Sequence, residues 1–125
     1  GYGVGFDITR RDMQQEAKNL ARPWALSKGP DFGAPCSILH PVSEVGHIET
    51  GKIQFTVNGE TRQEGNIDQM IWSIAEMIAF LSTMITLKPG DLIMTGTPAG
   101  VSAVVKGDHL VGHVDGLSDL KLTIT

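Results

Sequence analysis

The dipeptide Asn58-Gly59 constrains this chain more than any other feature of its sequence. Ahead of it, Ile53, Phe55 and Val57 alternate with polar neighbours, and behind it the chain returns through Glu60, Thr61 and Arg62. A type I′ turn needs positive φ at both central residues, which Asn and Gly tolerate, and its twist matches that of two flanking antiparallel strands. The spacing therefore predicts a β-hairpin around which the other elements must pack. Glycine is abundant elsewhere as well, with 15 among 125 residues, so short strands and tight loops are expected throughout.

A chain of 125 residues has the size of one domain, and 41% apolar with 19% charged residues describes a folding, water-compatible polypeptide rather than a disordered one. The longest apolar stretch, Met70 to Leu87, is broken by Ser73, Glu76, Ser82, Thr83 and Thr86, so no membrane span or export signal is read. Ten basic against fourteen acidic residues leave a net charge of −4, with the cations scattered, which argues against a nucleic-acid partner. The single cysteine, Cys36, cannot form an intrachain disulfide, and the cytoplasm is the expected setting.

At the start, glycines alternate with Tyr2, Val4 and Phe6, predicting a strand through Ile8. A chain that opens inside a strand suggests that an N-terminal portion belongs before residue 1. Thr9 with Asp12 three residues on reads as the cap of a helix carrying Met13, Ala17 and Leu20 and ending before Pro23. Asp7 thus sits where strand hands over to helix. From Arg22 to Cys36 the pattern is that of a long irregular loop. Asn66 reads as the cap of one long helix to about Met84, so apolar that it is expected to be buried or to meet a second subunit. Then follow Pro89-Gly90-Asp91, a strand Leu92-Ile93-Met94, the turn-rich Thr95-Gly96-Thr97-Pro98-Ala99-Gly100, and two short strands at the end. The class is α+β, mainly β, in a single domain over residues 1–125.

Several residues can carry chemistry. Asp7 can hold a hard cation while Arg11, four residues on, grips a substrate carboxylate, although such a pair alone is more often an ordinary ion pair or capping arrangement. Lys28 in the loop can stabilise a developing enolate, and Thr95-Gly96-Thr97-Pro98 at a strand end can gather donors on an anion. Gln63 follows the hairpin. His109 and His113 have the spacing of a helical metal pair, but in a β-like segment, where that spacing loses its meaning.

The order of these pieces is more telling than any one of them. Gly1-Tyr2 to Asp7-Ile8-Thr9-Arg10-Arg11-Asp12, Pro23-Trp24 with Lys28, Val57-Asn58-Gly59-Glu60 with Arg62-Gln63 and Met70-Ile71, Leu87-Lys88-Pro89-Gly90-Asp91 and Thr95-Gly96-Thr97-Pro98-Ala99-Gly100-Val101 together resemble the fumarylacetoacetate hydrolase family, over nearly the whole chain. Within it the chain is most similar to the short bacterial fumarylpyruvate hydrolases and acylpyruvases. The resemblance implies the C-terminal catalytic core of that family, a mixed-sheet β-roll, in a homodimeric, Mg²⁺- or Mn²⁺-dependent enzyme. Such an enzyme cleaves the C–C bond of a 3-acylpyruvate in aromatic catabolism by the gentisate route, or decarboxylates or isomerises a related 2-oxo acid; a non-catalytic scaffold is the remaining alternative. Asp7 would be a metal ligand, Arg11, Lys28 and Thr97 would contact the oxo acid, with Lys28 beside the enolate, and Gln63 would shape the substrate pocket. The family's other metal carboxylates and its water-activating His/Glu pair would precede residue 1. Pro30 stands where the family usually has an aromatic residue, with Phe32 nearby.

Overall fold

The computed structural model describes residues Gly1–Thr125. Four strands form one sheet in the order β2-β1-β3-β4, with β1 Lys52–Val57, β2 Glu60–Asn66, β3 His109–Val114 and β4 Leu120–Thr123. All neighbouring strands pair antiparallel, so within this chain the expected β-roll contributes antiparallel pairing only. The hairpin turns at Asn58 (φ 52°) and Gly59 (φ 84°), as its sequence requires. A bulge interrupts β2: Thr56 opposes Thr61 but Phe55 opposes Gln63, so Arg62 is the extra residue.

Val57 and Leu110 from the sheet and Phe6 from the first segment form the core, with Ile8, Phe55, Val104, Leu120, Leu122 and Ile124 around them. Phe6 meets Phe55 edge-on at 5.2 Å between ring centroids. The segment Tyr2–Ile8 is extended, but it pairs irregularly with residues 33–40 through single bridges at Tyr2–His40 and Gly5–Cys36 instead of forming the regular strand expected. Successive bonds from Ser37 N to Val4 O, Phe6 N to Pro35 O and Ile8 N to Gly33 O tie it down.

Four helices complete the fold: α1 Arg11–Asn19, α2 Ala25–Lys28, α3 Val42–Val45 and α4 Ile74–Met84. Three expectations are corrected here. The cap of α1 is Arg10, without a side-chain bond, because Thr9 turns its hydroxyl to Asp7 O. The 22–36 loop contains a helical turn, α2. The single long helix from Asn66 is two elements, a 3₁₀ turn Ile67–Gln69 capped by Asn66 and the helix α4 capped by Ser73. Both starts are reciprocal capping boxes, Asn66 with Gln69 and Ser73 with Glu76, so each satisfies its own orphan N–H groups and Met70 between them is extended. No residue of α4 is buried, and Phe80 (51% exposed) and Met84 (69%) lie open, which overturns burial within this chain. The run Leu92–Met94 forms no paired strand. No helix is long and apolar enough to cross a membrane.

Candidate active site

A cleft of roughly 490 Å³ opens where the first segment, α1, α2, the β1–β2 face and the 96–104 loop converge. Asp7, Arg11, Lys28, Gln63 and Thr97 all line it. Five residues drawn from four separate stretches of sequence thus share one cavity.

Backbone bonds explain how Lys28 arrives beside Asp7. Arg10 N donates to Ser27 O at 2.9 Å, which clips α2 to the start of α1. Ser27 is 2% exposed and its hydroxyl donates back to Trp24 O, closing the turn. Lys28, the next residue, then donates from Nζ to Asp7 Oδ2 at 2.7 Å and to Thr9 Oγ1 at 3.1 Å. The Asp7 side chain is 49% exposed and its second oxygen, Oδ1, makes no hydrogen bond within the chain.

The alternative reading of that spacing, an Asp7–Arg11 ion pair, is not realised, since Lys28 takes the carboxylate. Arg11 instead donates from Nη1 to Gln14 Oε1 at 3.0 Å and joins none of the chain's salt bridges. An aimed guanidinium without a carboxylate is a ready anion site. Gln14, 7% exposed, was not singled out by sequence; its position three residues after Arg11 on one helix face is the signal that could have found it. Asp12 serves Arg10 and its own helix: its carboxyl is held below the ordinary range by the Met13 N–H and by Arg10.

Across the cleft, Gln63 donates from Nε2 to Thr97 Oγ1 at 2.7 Å and to Pro98 O at 2.6 Å. The histidines contribute no ligand set. His109 bonds Thr123, His113 bonds Asp119 and Asp115, and nowhere do three or more His, Cys, Asp or Glu side chains gather in a way that could hold a metal. The donor chemistry available to a hard divalent cation is therefore the free Asp7 oxygen, a fitting ligand type but only one of the several oxygens such an ion takes. Phe32 is 97% exposed and does not line the cleft.

The profile of the fumarylacetoacetate (FAA) hydrolase C-terminal domain matches residues 1–125. The chain belongs to the fumarylacetoacetate hydrolase family. It is 48% identical over 124 residues to a fumarylpyruvate hydrolase of Ralstonia sp., covering 99% of this chain and 64% of that protein. With the mitochondrial oxaloacetate tautomerase FAHD1 of Homo sapiens it shares 38% identity over 124 residues, covering 99% of the chain and 56% of the relative. The crystal structure of fumarylpyruvate hydrolase from Pseudomonas aeruginosa in complex with Mn²⁺ and pyruvate superposes with a TM-score of 0.96 at 46% identity, over 100% of this chain and 54% of that one. The chain thus spans between half and two thirds of each of these three relatives, and its α+β fold is that of the solved structure.

Proposed function

We propose that this chain is the oxo-acid-binding half of a metal-dependent hydrolase that cleaves the C–C bond of a 3-acylpyruvate such as fumarylpyruvate. The observation that carries the reading is the convergence of Asp7, Lys28, an unpaired Arg11 and Thr97 on one cleft, in a chain 48% identical to a fumarylpyruvate hydrolase.

Water adds to the acyl carbonyl, the C–C bond to the oxo acid breaks, and its electron pair leaves as the enolate of pyruvate, which takes up a proton at carbon. Within this scheme Arg11 binds the substrate carboxylate, because its guanidinium can present two parallel N–H groups to it. The Lys28 ammonium sets positive charge where the enolate oxygen develops, and the Thr97 hydroxyl donates a hydrogen bond to the same end of the substrate. Asp7 Oδ1 would supply one ligand to Mg²⁺ or Mn²⁺, with further oxygens from outside these residues; when bound, the ion supplies Lewis acidity toward the oxo acid. Free, exposed Cys36 suits a reducing compartment, and the apolar groups that α4 leaves uncovered support assembly with a second copy.

The test is pyruvate release by the complete protein with Mn²⁺, from fumarylpyruvate and in parallel from oxaloacetate. Turnover of fumarylpyruvate at least about tenfold more efficient than that of oxaloacetate supports hydrolysis. The resemblance to oxaloacetate tautomerases at 36–41% identity favours a second reading, handling of oxaloacetate at the same site. Interconversion of oxaloacetate keto and enol forms without any cleavage of fumarylpyruvate would replace the first reading with the second.

A further inference from the structure

The bulge at Arg62 decides which way Gln63 faces. In an antiparallel pair, directly opposed residues lie on the same face, and Phe55, with its neighbour-but-one Val57, faces the core. A regular hairpin register would continue from Thr56–Thr61 to Phe55–Arg62, bringing arginine inward and leaving Gln63 outside. The extra residue slips the register by one, so Phe55 opposes Gln63 and the amide turns in to 9% exposure.

Once inside, Gln63 holds the turn 97–100 with both protons of its amide nitrogen, one on Thr97 Oγ1 and one on Pro98 O. Pro98 O is a carbonyl and can only accept, which fixes the amide with nitrogen, not oxygen, toward the turn. The turn is seated closely enough to keep this geometry. Gly100, at φ 100°, lies against the carbonyl of the bulge residue Arg62, where a Cβ would collide, and a Cβ on Gly65 would come within 3.3 Å of the Pro98 ring. Thr97 Oγ1 therefore accepts from Gln63, and its one proton has no acceptor within the chain.

We propose that Gln63 is a positioning residue that acts through Thr97: it binds no substrate itself and commits the Thr97 hydroxyl to donate into the cleft of Asp7 and Lys28. This replaces the direct role in the substrate pocket expected from sequence, and it rests on the reading of Thr97 as a donor to the oxo acid. The chemistry resembles an oriented donor in an anion hole, where the rotor is set before the ligand arrives.

The test uses the complete enzyme with Mn²⁺, pyruvate release from fumarylpyruvate, and binding of pyruvate itself by titration. Gln63→Met keeps the volume and removes both N–H groups; kcat/KM and pyruvate affinity should each fall about tenfold, the effect of one well-placed hydrogen bond. In a Thr97→Val background the same change should cost less than about twofold, because the group it acts through is gone. Gln63→Glu adds a readout that a merely structural role would not move. Its carboxylate can only accept, so it turns the Thr97 proton away from the cleft; on protonation it regains one donor, and activity relative to the wild type should climb as pH falls. Should Gln63→Met fail to fold, this pH profile decides alone. Wild-type kcat/KM in Gln63→Met, full additivity with Thr97→Val, or a flat relative pH profile in Gln63→Glu each overturns the proposal while leaving Thr97 in place. An unimpaired Thr97→Val overturns both the reading of Thr97 and the inference built on it.

Discussion

Lys28 Nζ stands 2.7 Å from Asp7 Oδ2, although 21 positions of sequence separate the two residues. Both side chains remain partly open, at 36% and 49% exposure, so the pair adds at most about 1 kcal/mol to stability. Its consequence is positional: one carboxylate oxygen is occupied and the other is left facing the cleft. Lys28→Ala should lower kcat of the complete enzyme by about 100-fold, as loss of one preorganised charge in a reaction site does, and should leave the melting temperature nearly unchanged. Steady-state kinetics on fumarylpyruvate with a thermal melt checks both; a change confined to KM would limit Lys28 to binding.

Asp7 lines the cleft with one carboxylate oxygen, Oδ1, left free by Lys28. In the complete protein, Asp7→Ala should abolish metal-dependent turnover and weaken Mn²⁺ binding by at least about tenfold, the range seen when metal-site partners are lost. Calorimetric titration of Mn²⁺ into wild type and variant measures it. Unaltered Mn²⁺ affinity would remove Asp7 from the ligand set.

Arg11 is expected to act on binding more than on chemistry, because its charge meets a carboxylate that is ionised before and after bond cleavage. Arg11→Lys keeps the charge but loses the planar fork, and Gln14 Oε1, now bonded to Arg11 at 3.0 Å, would lose the donor that aims it. KM should rise about tenfold with kcat within about threefold. An equal loss in kcat and kcat/KM would show that Arg11 contributes only in the transition state.

The hairpin was legible because its signal is local, two residues whose backbone preferences match one turn. The bulge beside it was not, since nothing local to Arg62 marks the register slip, and the contact it enables, Gln63 on Pro98 O, lies some 35 residues away. Asp7, Arg11, Lys28 and Thr97 were found by their order along the chain, and the cleft brings them together. The partner of Asp7 was not legible: the i, i+4 spacing left an ion pair with Arg11 open, whereas the clip from Arg10 N to Ser27 O delivers Lys28 instead. The break between the 3₁₀ turn and α4 was written in the Ser73–Glu76 capping box, but the apolar residues on both sides, Met70 to Trp72 and Ile74 to Ala75, masked it. Burial of α4 failed for a different reason: apolar periodicity identifies a face that needs covering and says nothing of which molecule covers it.

The end of the sheet carries a pH-sensitive clasp. His113 bonds Asp119 at 2.8 Å and Asp115 at 3.1 Å, and these two hydrogen bonds, Asp119 first, raise its pKa above the ordinary value of about 6.5. A folded-state pKa above the unfolded one gives stability that is complete below about pH 6.5 and lost as pH climbs through the raised value. Asp115, lowered by the Lys52 N–H and then by His113, and Asp119, lowered by His113, add stability that is present above the ordinary carboxylate range and lost in acid. The melting temperature of the wild type should therefore fall, relative to His113→Asn, as pH climbs from about 6.5 through the raised value. Parallel curves for the two proteins would dismiss the clasp. The side chain is 39% exposed, so the difference should shrink in high salt.

Asp7 follows Phe6, and Phe6 rests on Gly112 of β3. A Cβ at position 112 would come 2.6 Å from Phe6 Cε1 and 2.9 Å from Val4 Cγ1, so the Phe6 ring, edge-on to Phe55, would have to shift. Gly112→Ala should cost about 1–3 kcal/mol by overpacking and should also push the segment that bears Asp7. Leu110→Ala, at a position 1% exposed two residues earlier, should cost about 2–5 kcal/mol by opening a cavity, without pressing on Phe6. Comparing the two separates stability from placement. If the glycine is there to let Phe6 set the carboxylate, Gly112→Ala weakens Mn²⁺ binding in the complete protein although it is the milder of the two in denaturation, and Leu110→Ala does not. Equal Mn²⁺ affinities would mean that Asp7 is positioned from the Lys28 side alone.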